Sequence, residues 1–475
     1  MYVERAFAIP SERLFLFTYS SEISGASRFP SLAFNRVAAL FEGFEPHRYE
    51  TEDLLYLIPS PKNAASILRI IKNSELKASL SKALEPHIPG ISESVDLKAS
   101  VERCQVSKET VSEIFGNSLY MSPSSFEKYV RCPFEYYCSN VLQLRERKTS
   151  DFQSDDMGSF IHYILENLIR ISIPSKDGEA FPDDATLTKN TSIAVERYVS
   201  RICPPYLLNT ARMKHLYERL STLSLMLVKN IVEEFSKSEF KPMFFELKTD
   251  GCGSNPSPLF FRLDSGKNVF FSGTVDRVDL YKKDDSVYVR VVDYKTGTKV
   301  FSLDDIDKGM NLQMLIYLFA LCKNRSISFK QSLESDSSLL PAGVMYLSSD
   351  IEVVELDDYT EYDDMLKRAA NGIKRTGVLL NDENVLHAMN SDMDKKFLAG
   401  ISQSSKDGSI KGDALTSSEH FSKAYDRLEN IVKKIANEIF AGIADSAPKK
   451  FGKSIPCTYC KAKPICRKMN DIGGK

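Results

Sequence analysis

The sequence predicts an α/β fold divided into two domains, and three observations carry that prediction. Two runs of alternating β-branched residues, Val275-Asp276-Arg277-Val278-Asp279 and Val291-Val292-Asp293-Tyr294-Lys295, flank the polar Lys283-Asp284-Asp285-Ser286 and read as a β-hairpin. Helix-period apolar stripes lie on both sides of it, the broadest being Phe160, Ile161, Ile164, Leu165, Leu168 and Ile169. At 475 residues the chain is too long for a single compact core.

Composition narrows the class. A hydrophobic fraction of 43% and a charged fraction of 27% are those of a soluble globular protein. The net charge is only −2, so any affinity for nucleic acid must come from local basic patches. No 18-residue apolar run predicts a membrane helix, and Met1-Tyr2-Val3-Glu4-Arg5 opens no hydrophobic leader. Nine cysteines without a secretory context point to reduced thiols or metal ligands, and hence to a cytoplasmic location.

In chain order, Ser11–Phe17 reads as a strand, and Phe29–Val37 opens an amphipathic helix. Helical patterns continue to about Gly116. At Ser122-Pro123-Ser124-Ser125-Phe126-Glu127 a serine cap, an early proline and an acid in the first turn predict a helix start. The stretch 170–240 looks all-helical, broken at Pro204-Pro205. Phe244–Leu247 and Gly343–Leu347 read as strands, with a helix from Asn311 between them. Residues 330–339 read as a loop and 402–418 as an exposed hairpin or loop, and a last helix spans about 419–442.

A symmetric hairpin turning at Asp284-Asp285 sets Asp276 across from Asp293 and Asp279 across from Arg290. Opposed Cβ atoms lie roughly 4.5–5.5 Å apart, so the first pair needs a cation between its carboxylates. Lys295 shares the face of Asp293, because side chains alternate with period two. Two acids and a lysine on one face suit metal-assisted phosphodiester cleavage. Asp276 and Asp293 would hold Mg²⁺, with the Tyr294 carbonyl as an extra ligand, and Lys295 would position the water or stabilise the pentavalent phosphate. Taken alone, an Asp-x-Lys also fits ordinary strand charges, with Asp276 paired to Arg277 or Arg290.

Cys457-x2-Cys460-x5-Cys466 is a tight cluster that needs a fourth thiolate, and Cys132-Pro133 is the best candidate. Spacing leaves zinc and an iron–sulfur cluster both open. Residues 447–475 carry eight Lys/Arg against the single acid Asp471, which fits a solvated tail or a DNA-backbone contact equally. The chain has no G-x-x-x-x-G-K-[ST] loop, so ATP binding is not expected.

The order of Gly158…His162, Gly273-Thr274-Val275-Asp276, Asp293-Tyr294-Lys295-Thr296-Gly297 and Gln313…Tyr317 resembles the PD-(D/E)XK nucleases of the RecB type. The resemblance implies a restriction-endonuclease-like core, a mixed sheet flanked by helices with helical insertions. It makes His162 a further metal ligand, turns Gln313 and Tyr317 toward the site or its DNA, and places Glu246 where the family often has an acid. The stretch from Ser122 to Phe134, with Cys-x-x-Cys-x5-Cys at the other end, is similar to the nuclease domain of AddB-type helicase–nuclease subunits.

That second resemblance implies a [4Fe–4S] cluster on Cys132, Cys457, Cys460 and Cys466. It also implies action on DNA ends and single strands in recombinational repair, in a heterodimer whose AddA-type partner supplies ATP-driven unwinding. Residues 119–475 are then the nuclease domain. Residues 1–118 would be a truncated, mostly helical helicase-like remnant, with Ala8-Ile9 where a motor would carry a Thr-Arg pair. The rival expectation is a catalytically silent scaffold that binds DNA or a partner helicase.

Overall fold

A computed structural model describes chiefly residues 29–43, 74–92, 105–145, 154–174, 178–202, 211–295, 301–333, 338–348, 375–393, 397–450 and 455–466, the last without 464. The chain divides into two compact units, Met1–Ser100 and Val101–Lys475. In the first, helices α1 (Leu32–Ala38) and α2 (Ser74–Leu84) are described, α1 capped by the Ser31 side chain. Ala64, Leu68, Leu84 and Ile91 form its small apolar cluster. Of the strand expected over Ser11–Phe17, residues 11–13 and 16 are described and lie in no strand, and the others fall outside the described residues.

The second unit begins with α3 (Lys108–Phe115), β1 (Ser118–Met121), α4 (Pro123–Arg131) and the single turn α5 (Pro133–Tyr136). Three long helices follow: α6 (Ser154–Ser172), α7 (Asp184–Ile202) and α8 (Ala211–Ser236). Then come β2 (Lys241–Lys248), β3 (Leu259–Arg262), β4 (Asn268–Phe271), β5 (Thr274–Lys283) and β6 (Ser286–Lys295). The chain continues through α9 (Gln313–Cys322), α10 (Ile327–Ser332), β7 (Ser338–Ser348), β8 (Arg375–Leu380) and α11 (Glu383–Met389). It closes with β9 (Ser402–Gln403), β10 (Ile410–Lys411), β11 (Leu415–Thr416) and α12 (Ser418–Phe440).

Six strands form a sheet in the order β11-β8-β7-β6-β5-β2. Its β6–β7 and β11–β8 pairs are parallel and the others antiparallel, so it is the mixed sheet expected. The β5–β6 hairpin has the predicted register: Asp279 faces Arg290, and the ladder runs from Lys283 and Ser286 up to Arg277 and Val292. Helix α9 packs on β6 and β7, while α6 packs on β2, β5 and β6. No helix among the described residues is long and apolar enough to cross a membrane.

Two helix starts differ from expectation. Ser122 caps α4, but its capping box is completed by Ser125, and Glu127 lies beyond the first turn, turned inward. Helix α9 starts at Gln313, because Asn311 takes a left-handed φ of 57° and hydrogen-bonds Asp305 instead of entering the helix.

The face of the hairpin away from Asp276 carries a fully buried charge network. Arg277 and Arg290 both contact Asp279, at 2.9 and 2.7 Å. Glu234 of α8 joins Arg290 to Arg375 of β8, at 3.3 and 2.7 Å. Phe235 and Phe240 lie against the guanidiniums. Opposite charges in contact offset part of the cost of taking these groups out of water.

Candidate active site

The ladder between β5 and β6 stops one step short of Asp276. There the amide of Tyr294 donates to the Asp276 carboxylate at 2.8 Å rather than to a carbonyl. Asp276 is thereby fixed at the end of the hairpin, almost wholly buried.

Helix α6 brings His162 to it. The His162 Nδ1 lies 3.4 Å from a carboxylate oxygen of Asp276 and 3.4 Å from one of Glu246. Burial pushes the imidazole toward neutrality, but hydrogen bonds and charge from Asp276 and Glu246 outweigh it and lift its pKa to about 10. His162, Glu246 and Asp276 offer ligand atoms within 4.8 Å of one another, the only such trio of histidine, cysteine or acid groups among the described residues.

Glu246 reaches the trio through an unusual backbone. It sits within β2 at a φ of 49°, a left-handed conformation seldom taken by a residue with a long side chain. Strain of this kind gathers at functional positions, where the geometry it enforces is used.

Asp293 lies beside the trio and not within it. Its carboxylate meets the Lys295 ammonium at 2.5 Å and accepts from Gln313 Nε2 at 2.7 Å. Burial, then the charge of Asp276, pushes its pKa up to about 6 against the opposing pull of Lys295. The cation that the opposed acids require is therefore supplied twice, by His162 at Asp276 and by Lys295 at Asp293. The Tyr294 ring lies 5.9 Å from the Arg277 guanidinium and packs edge-on against the His162 ring at 5.7 Å.

Tyr317, one turn after Gln313, packs on Gly273: a Cβ there would lie 2.9 Å from the tyrosine Cε1 and closer still to its hydroxyl. One residue that the sequence did not single out supports this helix. Glu127 accepts the Leu312 amide at 3.0 Å, at the N-terminal end of α9 where no side chain of the helix caps it. Its place in a helix-start motif was visible, but which side of α4 turned inward was not.

Cys132 and the C-terminal cysteines lie at another junction, and among the described residues no three of their sulfurs come within 4.8 Å of one another. The Tyr129 hydroxyl donates to the Ile443 carbonyl, Phe134 N–H to Asp445, and Lys449 N–H to Arg131, so the segment after α12 runs along α4 and α5. Burial raises the Cys132 thiol, while backbone hydrogen bonds from Glu135, Phe134 and Ala447 favour its thiolate and Cys466 opposes it. Cys460 is pushed up to about 12 by burial, by Glu135, and by Cys132 and Cys457. Cys466 Sγ lies 3.0 Å from Ser446 Oγ. Cys138 is buried.

Several relatives are named as the B-type subunit of an ATP-dependent helicase/deoxyribonuclease. One from Clostridium acetobutylicum is 29% identical over 76% of this chain and 31% of its own length. One from Clostridium kluyveri is 30% identical over 77% of this chain and 31% of its own length. A third, from Clostridioides difficile, is 26% identical over 92% of this chain and 36% of its own. The chain thus spans about a third of the length of the curated relatives it matches. The PD-(D/E)XK nuclease superfamily pattern matches residues 120–467, which take in α4, the hairpin, α9 and the last cysteine. The chain belongs to the PD-(D/E)XK nuclease superfamily.

Proposed function

We propose that this chain is a Mg²⁺-dependent deoxyribonuclease that hydrolyses phosphodiester bonds. The observation that carries the reading is the meeting of His162, Glu246 and Asp276 beside the Asp293–Lys295 pair. The donor set fits a hard divalent cation: two carboxylates and an imidazole converge, and a buried Glu246 oxygen, 3.4 Å from the His162 Nδ1, has no hydrogen-bond partner among the described residues. A bound ion would supply positive charge at the scissile phosphate.

The chain's own residues would do the rest. His162, Glu246 and Asp276 hold the ion, with Asp293 completing the acidic wall. Lys295, anchored on Asp293, would serve the attacking water and the phosphate oxygens. Gln313 fixes Asp293 from α9, and Tyr317 lines the approach. Asp276→Ala and Lys295→Ala should each lower Mg²⁺-dependent DNA cleavage about 10²–10³-fold, the scale of losing one electrostatic contact. Cleavage at the parental rate would end the proposal, and DNA binding without cleavage by the parent would favour the scaffold.

We propose further that the chain works beside a helicase of the AddA type on double-strand DNA ends, a reading supported by the name its relatives bear. Co-purification with such a helicase tests it. Cys132, Cys457, Cys460 and Cys466 are proposed to hold a [4Fe–4S] cluster, supported by their spacing and by the backbone donors aimed at Cys132. Anaerobic protein should be brown, with broad absorbance near roughly 400 nm. Colourless protein with stoichiometric zinc refutes the cluster.

A further inference from the structure

We propose that a lysine-rimmed groove between α4 and α12 is the track for the phosphate backbone of a single DNA strand, an inference that rests on the nuclease reading. The groove has a volume of about 460 Å³ and an apolar floor of Val130, Ile431 and Ile435. Four lysines from three separate parts of the chain surround it: Lys308, Lys434, Lys449 and Lys450. All four are solvent-exposed, and Lys434, Lys449 and Lys450 have no ion pair among the described residues.

The acid at the rim does not offset them. Asp307 is held by both arms of the Arg427 guanidinium, at 2.9 and 2.7 Å, so its charge is already matched. In a chain whose net charge is −2, this is a concentrated positive field, and it selects an anion. The spread of the lysines favours a repeating anion over a single phosphate. The apolar floor between them accepts sugars or bases, as channels for single strands do.

The groove also adjoins the site. Val130 is three residues along α4 from Glu127, whose carboxylate holds Leu312 at the start of the helix carrying Gln313. Gly309 packs against Val130 and Ile431 so closely that a Cβ there would lie 2.9 Å from Val130. A strand in the groove would therefore be led toward α9. Two of the basic residues visible near the C-terminus, Lys449 and Lys450, thus acquire a setting beyond a solvated tail.

The test is binding of a fluorescent single-stranded oligonucleotide to the full chain in EDTA, where cleavage plays no part, over a range of salt. The triple variant Lys434→Gln/Lys449→Gln/Lys450→Gln should bind at least tenfold more weakly, and its log K against log salt slope should flatten by roughly 2, three lost contacts at about 0.7 each. Lys423→Gln/Lys433→Gln, on the same helix and ion-paired to Glu419 and Glu429, is the control and should bind as the parent does. Parental affinity and slope in the triple variant overturn the groove, as does equal weakening in the control. A parent that binds through these lysines yet never cleaves DNA with Mg²⁺ sinks the nuclease reading and leaves the groove standing.

Discussion

The carboxylate of Glu127 accepts the backbone amide of Leu312 at 3.0 Å, closing the start of α9 from a helix 185 residues earlier. Through Gln313 the same helix end grips Asp293, so α4 governs the aim of the acid that holds Lys295. Glu127→Ala leaves a buried donor unmet and should cost about 1–3 kcal/mol of stability. Cleavage should fall about tenfold with it, a loss of some 1.4 kcal/mol in transition-state stabilisation. Glu127→Gln keeps an acceptor and should retain most of both. Denaturant midpoints and single-turnover rates measure the pair, and an alanine variant with parental values of each would show that the contact is idle.

Metal binding should release a proton. With no ion bound, His162 is an imidazolium whose pKa is raised from 6.5 to about 10 by Asp276 and Glu246. Its clamp on the two acids is fully present below the unfolded value and lost as pH rises through the folded one. A metal ligand must be neutral, so Mg²⁺ affinity should climb with pH between those limits. Calorimetry at pH 8 in buffers of different ionisation enthalpy should report about one proton per ion, absent in His162→Ala. No release in the parent would remove His162 from the ligand set.

Gly273→Ala should destabilise the protein by about 1–3 kcal/mol, because the new methyl drives into the Tyr317 ring. Combining it with Tyr317→Phe removes the nearest atom of the clash and should recover part of the loss. Thermal unfolding of both singles and the double gives the coupling, and strict additivity would contradict the contact.

The buried network behind the hairpin holds three guanidiniums, Arg277, Arg290 and Arg375, against two carboxylates, Asp279 and Glu234. Removing an acid deepens the imbalance, whereas removing an arginine relieves it. Asp279→Asn should cost about 3–5 kcal/mol, and Arg290→Met distinctly less. Chemical denaturation decides, and the reverse order would mean that packing outweighs charge there.

The hairpin was legible because alternation and a short polar turn fix register locally: Asp279 opposite Arg290 could be read from the numbers alone. His162 and Gln313 were legible only as parts of a motif order, since nothing local to α6 or α9 says which face meets the hairpin. Glu127 escaped because its partner is a backbone amide, which has no signature in the sequence. The start of α9 was misplaced by two residues because Asn311 tolerates the left-handed region, a preference that a helical apolar pattern hides.

Glu246 has a consequence for how such a site ages. Its left-handed φ of 49° costs on the order of 1–3 kcal/mol, and glycine or asparagine would rest there more easily. The fold therefore has little reason of its own to keep a glutamate at that point. A copy released from nuclease duty would find substitution at Glu246 downhill, whereas loss of Asp276 would strand the Tyr294 amide. On the proposed nuclease reading, decay of the chemistry should therefore begin on β2.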